Sequence, residues 1–341
     1  MASRMTGTKL RIGIVGCGRV VQTAHLAALA GLPDIEVTAI CDADAGVADR
    51  VGTRLGVAPR FTACADLVKH PDVEAVLVAT RDHVEPALTA IEAGKHVLVE
   101  KPLCFDVGSA AAIDSAARDS GVVAMIGYMK RYDWCFERLC AMVADLPAIR
   151  FSSVHDFACR FDKSNYLFDV AQPALADDSG PPGLTQWLLM FASHDFAVVR
   201  GAVGEPEEVV FAESAGPRTL LIGLRCRGGR FCAMELSLDT RYDWFDETLT
   251  IYSDDQIIGI RFADPFVPFA QSQLRVSAAA GPAVAQQVIT GPFEDAFRRE
   301  WRHFAECVAT GAAPRTPVRE GVADAALAVE IASRCSRAAP S

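Results

Sequence analysis

The residues of this chain best placed to do chemistry are Glu100-Lys101-Pro102, which close the short apolar run of residues 97–99. A lysine held at the carboxyl end of a buried strand is costly to keep charged. Burial lowers its pKa and lets it exchange protons near neutral pH. Far upstream, Gly16-Cys17-Gly18 follows a second apolar run and reads as a tight turn into a helix. Glycine lets the backbone approach a pyrophosphate, and the first helical turn presents unpaired N–H groups to it. The turn offers Gly16, Cys17, Gly18, Arg19 and Val20 to a dinucleotide, although Val21 replaces the third glycine of the fingerprint. Asp42, at the end of the next strand, can accept hydrogen bonds from both ribose hydroxyls and repel a 2′-phosphate, which favours NAD over NADP. Its rival role is the N-cap of the following helix. A proton-exchanging lysine beside a dinucleotide turn points to nicotinamide-dependent redox chemistry.

Those groups need a frame. Apolar strands at 10–15, 35–41, 75–79, 97–100 and 122–126 alternate with helical segments, which predicts a parallel, doubly wound sheet over residues 1–126. After Gly127 the pattern changes. A helix at 134–144, a strand at 149–158 and a long irregular stretch at 162–183 precede a helix at 184–202. Strands at 208–212, 220–226, 230–238 and 247–253 follow, with Gly228-Gly229 as a hairpin turn. Helices at 293–310 and 320–336 end the chain, and residues 265–292 receive no assignment. The expectation is a Rossmann domain followed by an α+β domain over 127–341. The second domain carries an open, mostly antiparallel sheet, and its last helices pack back towards the first.

The bulk numbers agree with two globular domains: 341 residues, 51% hydrophobic and 22% charged. A net charge of −10 argues against a nucleic-acid partner, and Arg298-Arg299 with Arg302 reads as a solvated helix face. The 11 cysteines include no Cys-x-x-Cys pair and read as reduced thiols, with no metal site among them. Residues 1–8 lack a secretory pattern. The apolar stretch 184–199 is broken by Gln186, His194 and Asp195, so no membrane span is expected. These features predict a cytoplasmic location.

Gly16-Cys17-Gly18, His25, Asp42, Thr80, His83 and the run Ala93-Gly94-Lys95-His96-Val97-Leu98-Val99-Glu100-Lys101-Pro102 together resemble the Gfo/Idh/MocA oxidoreductases. Gly127-Tyr128-Met129-Lys130-Arg131-Tyr132 is similar to the segment that follows the Rossmann domain in that family, and Glu300 to Gly311 fits its C-terminal helix. The resemblance implies that Lys101 is the catalytic lysine beside nicotinamide, that Glu100 and Pro102 shape its turn, and that Thr80 and His83 line the cofactor cleft. It also implies a proton-transferring His194. Family members carry an Asp-x-x-x-His pair, which puts both side chains on one helix face. In this chain Met190 holds the aspartate position, and Asp195 lies about 100° round the helix from His194. Met190, like Met125 and Met129, reads as a packing residue. Arg131, Asp195 and the Met190 position itself join the substrate-site candidates. The long loop adds His155, Asp156, Arg160, Lys163, Tyr166 and Asp178, while Tyr242 and Trp244 read as packing or interface residues.

The leading expectation is hydride transfer between NAD and a hydroxyl-bearing carbon of a sugar, nucleotide-sugar or cyclitol, with a small polyhydroxylated substrate as partner. A redox-neutral variant, with transient oxidation enabling elimination or epimerisation, is the alternative. A non-catalytic nicotinamide sensor is the third. An open sheet leaves a flat face to cover, so a homodimer or homotetramer is expected.

Overall fold

The computed structural model describes residues 9–159, 183–216, 218–240, 245–265, 267 and 270–338. Arg160, Lys163, Tyr166, Asp178, Tyr242 and Trp244 lie outside the described residues. The first sheet holds β1 (Leu10–Val15), β2 (Ile35–Cys41), β3 (Arg60–Phe61), β4 (Ala75–Val78), β5 (His96–Glu100) and β6 (Ala124–Gly127). Its order is β3-β2-β1-β4-β5-β6, and every pairing is parallel. All four residues of β4 are buried, as expected of a strand covered by helices on both faces. The order reverses between β1 and β4, which opens a crevice at their carboxyl ends.

The helices of this half are α1 (Leu26–Ala30), α2 (Ala45–Leu55), α3 (Cys64–Leu67), α4 (Val84–Glu92) and α5 (Val107–Ser120). The helix expected over 20–30 begins instead as a wider π-turn, Val21–His25, before α1. Asp44 caps α2 by accepting the Gly46 and Val47 N–H groups, so Asp42 is not the N-cap of that helix.

The second sheet holds β7 (Phe151–Cys159), β8 (Pro206–Gly216), β9 (Thr219–Cys226), β10 (Arg230–Thr240), β11 (Asp246–Tyr252), β12 (Gln256–Arg261), β13 (Gln273–Ala280) and β14 (Ala283–Thr290). Their order is β14-β13-β12-β11-β7-β10-β9-β8, antiparallel except for β7 beside β10. The two-domain expectation of a Rossmann fold plus a mostly antiparallel α+β unit therefore holds. Strands β13 and β14 occupy the stretch that the sequence left unread. Their alanines and glutamines carry little strand signal, and pairing on β12 supplies the order.

On one face of this sheet lie α6 (Trp134–Ala144), α7 (Leu184–Ala202) and α9 (Arg319–Ala338). The other face exposes Phe151, Leu221, Tyr252 and Ile257. Helix α8 (Ala296–Thr310) returns to the first sheet, where Phe297, Trp301 and Phe304 join the core of Ile12 and Ile14. Pro317 bridges to Met125 on the edge strand β6. Among the described residues no helix is long and apolar enough to cross a membrane.

Candidate active site

The glycine turn lies at the crevice. Gly16 has φ +87°, and a Cβ there would come within 2.6 Å of the Ala79 backbone, so the turn after β1 touches the turn after β4. The Cβ position of Gly18 opens instead into empty space. That room, at the start of a helix, suits the close approach of a dinucleotide phosphate. Asp42 braces the turn from β2: its Oδ2 accepts the Cys17 N–H at 2.7 Å and its Oδ1 accepts the Asp44 N–H at 2.9 Å. Each carboxylate oxygen keeps acceptor capacity beyond these bonds. Arg19 and Val20 lead into the π-turn, and the Thr23 hydroxyl within it donates to the Arg19 carbonyl at 2.8 Å.

Lys101 follows β5 directly, and its peptide bond to Pro102 is cis. Two buried histidines and a carboxylate shape that turn. His83 Nδ1 donates to the Pro102 carbonyl at 2.7 Å, and burial holds its pKa below the usual value. The Thr80 hydroxyl donates to the Asp82 carbonyl. His25 Nδ1 accepts the Trp301 indole N–H at 3.0 Å, so His25 Nε2 carries the hydrogen that it donates to Glu100 Oε1 at 2.8 Å. Glu100 Oε2 accepts the Lys101 N–H at 3.0 Å. Burial works against the Glu100 charge, but the His25 bond and the nearby Lys101 and His83 prevail, and its pKa falls. Beneath it, Glu300 is fully buried with neither carboxyl oxygen paired; burial and Glu100 push its pKa far up.

The Lys101 ammonium donates to the Met190 carbonyl of α7 at 2.9 Å. Met190 itself is 50% exposed, so it is not the packing residue expected from sequence, and it meets the site through its backbone. His194, one turn on, is half-buried against Tyr128, with ring centroids 6.2 Å apart. Burial together with the charges of Lys101 and Lys130 drives its pKa well down. Lys101, His194 and Val20 line one cavity of about 70 Å³ with Lys130, Asp156 and Glu247, and Phe191, Phe245 and Phe297 form its apolar walls.

Of the polar wall from the second domain, the sequence candidates include Asp156 and Asp195, whereas Lys130 and Glu247 were missed. Lys130 Nζ lies 2.6 Å from Glu247 and 3.8 Å from Asp195, with the Phe262 ring centroid at 5.2 Å. Asp156 and Asp195 are buried on the same wall, and burial with the charges of Glu247 and Asp195 pushes the Asp156 pKa well up. A lysine in a turn and carboxylates on a strand and a helix are surface residues by type. Only their placement opposite apolar neighbours along the chain hinted at burial. Asp156 lies on β7 rather than in the long loop, and strand alternation puts it inside.

Two other candidates point away from the cavity. His155 faces the outer side, where it meets Glu235 at 3.0 Å and Asp246 at 3.7 Å and stacks on Phe157, away from the cavity. Arg131 turns to α7 and α9, donating to the Ala197 carbonyl at 3.1 Å and pairing with Glu320 at 3.4 Å. Beside it, Arg200 pairs with Asp324 at 2.6 Å, and Tyr128 donates to the same carboxylate. Arg131 thus braces helices rather than substrate. Among the described residues no group of histidine, cysteine and acidic side chains could hold a metal ion.

Residues 10–128 match the oxidoreductase family with an NAD-binding Rossmann fold, GFO_IDH_MocA. The chain is 29% identical over 208 residues to myo-inositol 2-dehydrogenase of Thermotoga maritima, covering 60% of this chain and 58% of that protein. It therefore spans little more than half of that relative. It is 27% identical over 336 residues to dTDP-3,4-didehydro-2,6-dideoxy-alpha-D-glucose 3-reductase of Actinomadura kijaniata, covering 96% of each. Its fold is similar to a crystal structure of a 3-ketoreductase from Actinomadura kijaniata in complex with NADP and TDP-benzene. That match has a TM-score of 0.77 and 22% identity, and covers 96% of this chain and 98% of the other.

Proposed function

We propose that this chain, whose Rossmann domain belongs to the Gfo/Idh/MocA oxidoreductase family, is a dehydrogenase or ketoreductase. Its substrate would be a hydroxyl-bearing carbon of a sugar, nucleotide-sugar or cyclitol. The observation that carries the reading is Lys101, half-buried and lining one cavity with His194 and with Val20 of the turn after β1. Relatives named for inositol and for a deoxyglucose nucleotide support the substrate class. Gly16, Gly18 and Asp42 would hold the nicotinamide dinucleotide, which supplies the hydride acceptor or donor.

Burial lowers the Lys101 pKa; Glu100 opposes this, and the neighbouring charge of Lys130 adds to it. In the oxidative direction the unprotonated amine removes the hydroxyl proton, and His194, held neutral, accepts or donates the accompanying hydrogen bond. In the reductive direction protonated Lys101 returns the proton to the ketone oxygen. His83 and Glu100 keep the lysine aimed at the cavity by fixing the turn on either side of it. The apolar Phe191, Phe245 and Phe297 exclude water and suit the C–H face of a ring.

Asp42 is the basis for preferring NAD, since a second anion beside its carboxylate would be repelled. Asp42→Ala should narrow the preference for NAD over NADP, measured as the ratio of kcat/KM. The exposed face of the second sheet is the surface for a homodimer or homotetramer, and a monomer by light scattering would exclude that. The decisive experiment incubates the protein with NAD or NADP and a panel of sugars, nucleotide-sugars, cyclitols and glycosides, following reduced cofactor and product separately. Reduced cofactor rising with ketone supports the reading; product without it marks the redox-neutral variant; silence across the panel rejects both.

A further inference from the structure

We propose that Asp324 of α9 is a positioning residue for the reaction. Through Tyr128 and Arg200 it sets where α7 presents its two contributions to the site, the Met190 carbonyl that meets Lys101 and the ring of His194. The inference rests on the dehydrogenase reading of the cavity and extends it to a helix none of whose described residues lines that cavity. Lys101 and Tyr128 leave the carboxyl ends of neighbouring strands, since Glu100 of β5 pairs with Gly127 of β6. Lys101 reaches α7 at the Met190 carbonyl. Tyr128 reaches it one turn later, where its ring lies edge-on to His194, and its hydroxyl donates to Asp324 Oδ2. Asp324 Oδ1 accepts from Arg200 of α7 at 2.6 Å. Arg131 adds its bond to the Ala197 carbonyl. Helix α7 is thus gripped on both sides of His194, by Lys101 at Met190 and by this network at Ala197 and Arg200.

Stability alone does not call for such a network. Tyr128 and Asp324 are each 1% exposed, and taking a carboxylate and a guanidinium out of water carries a desolvation cost that apolar side chains of similar volume avoid. The two helices already share an apolar core that includes Phe196, Val199, Leu327 and Ile331. What apolar packing lacks is direction. Hydrogen bonds weaken steeply when bent, so two bonds to one carboxylate fix both the rotation of α7 and its height along the axis. That precision matters at His194 and Met190. Each residue of slip turns the helix by about 100°, and a displacement of about 1 Å in a reacting group can cost about 100-fold in rate.

The test uses the full chain and two mild variants. Tyr128→Phe keeps the ring against His194 and removes only the hydroxyl. Asp324→Asn keeps the shape but has one acceptor oxygen where two bonds need two. With NAD and the compound turned over in the panel, each should lower kcat about 10-fold and leave the KM for NAD unchanged. The double variant should lose no more than the larger single loss, because both changes act through one bond. Imidazole NMR signals of labelled histidine read position without turnover; His194 is identified by its absence from His194→Gln, and its signals should shift in both variants. A parent-like kcat in Tyr128→Phe, whatever its stability in urea, assigns the network to the fold alone and overturns the inference. Losses that multiply in the double variant, or unshifted His194 signals, overturn it too, and all three outcomes leave the dehydrogenase reading standing. A panel in which the unsubstituted protein turns over nothing rejects that reading and the positioning role with it.

Discussion

Two lysines stand at the carboxyl ends of adjacent strands, Lys101 after β5 and Lys130 after β6, and face one cavity. Their surroundings differ. The Lys101 ammonium meets the Met190 carbonyl, whereas Lys130 meets Glu247, Asp195 and the ring of Phe262. Burial lowers the pKa of the first, and the nearby charge of Glu100 does not restore it. Burial acts on the second as well, but Glu247, Asp195 and Asp156 outweigh it and raise the pKa well above the ordinary lysine value. Burial alone therefore does not decide whether a lysine keeps its charge; the carboxylates around it do. One lysine is left able to give up its proton, and its neighbour is fixed as a cation.

The contrast is broken most directly by removing each lysine in turn. Lys101→Ala should cut turnover by about 10²–10⁴-fold, the usual worth of a positioned acid–base group, with no loss of unfolding free energy in urea titrations. A variant that kept normal turnover would end the catalytic assignment. Lys130→Met should do the opposite. It leaves Glu247 and Asp195 buried without their cation, which costs roughly 3–5 kcal/mol of stability, while cofactor binding by the Rossmann domain persists. If urea unfolded Lys130→Met no earlier than the parent, the buried charges would not depend on one another.

How far each half could be read from sequence follows from the range of its contacts. Around the cofactor crevice, the apolar strands and glycine turns are local signals, so the β-α-β order was legible. Asp42 kept two readings until Asp44 proved to cap α2. The turn at Glu100-Lys101-Pro102 was legible for the same reason, but its brace was not: Trp301 reaches His25 across 276 positions of chain. The second-domain wall draws Lys130, Asp156, Asp195 and Glu247 from four elements. No spacing rule connects them, and each looks like a surface residue until the sheet is closed. His155 and Asp156, neighbours in sequence, were grouped as loop candidates; the strand sends one outward and the other into the cavity.

The lysines also differ in the sign of their pH dependence. Lys101 has a folded pKa below about 10.5, the unfolded value. Between those two values the unfolded chain holds the extra proton, so stability rises with pH by at most about 1.4 kcal/mol per unit. Lys101→Met should flatten that rise, and urea titrations across alkaline pH would show it. Lys130 contributes stability below the unfolded value that is lost only as pH passes its raised folded pKa, so its slope has the opposite sign. Oxidation should accelerate with pH through the Lys101 titration, and ketone reduction should slow through the same range. A pH-independent oxidative rate would deny Lys101 the role of base.

The smallest effect tests whether the crevice is tuned from a distance. Trp301→Phe keeps the ring packing of α8 but removes the N–H that holds His25 in one tautomer. The direct loss is one buried hydrogen bond, about 1 kcal/mol. His25 can then place its hydrogen on Nδ1, and Glu100 keeps the Lys101 N–H but loses its His25 donor. Glu100 would hold its charge less firmly, and its support of the Lys101 turn would weaken. The expected result is a modest loss of stability with a fall in kcat of a few-fold and an unchanged KM for cofactor. A variant with the parent's kcat would show that Trp301 serves α8 packing alone, and that Lys101 takes its orientation from β5 and His83 without help from the C-terminal helix.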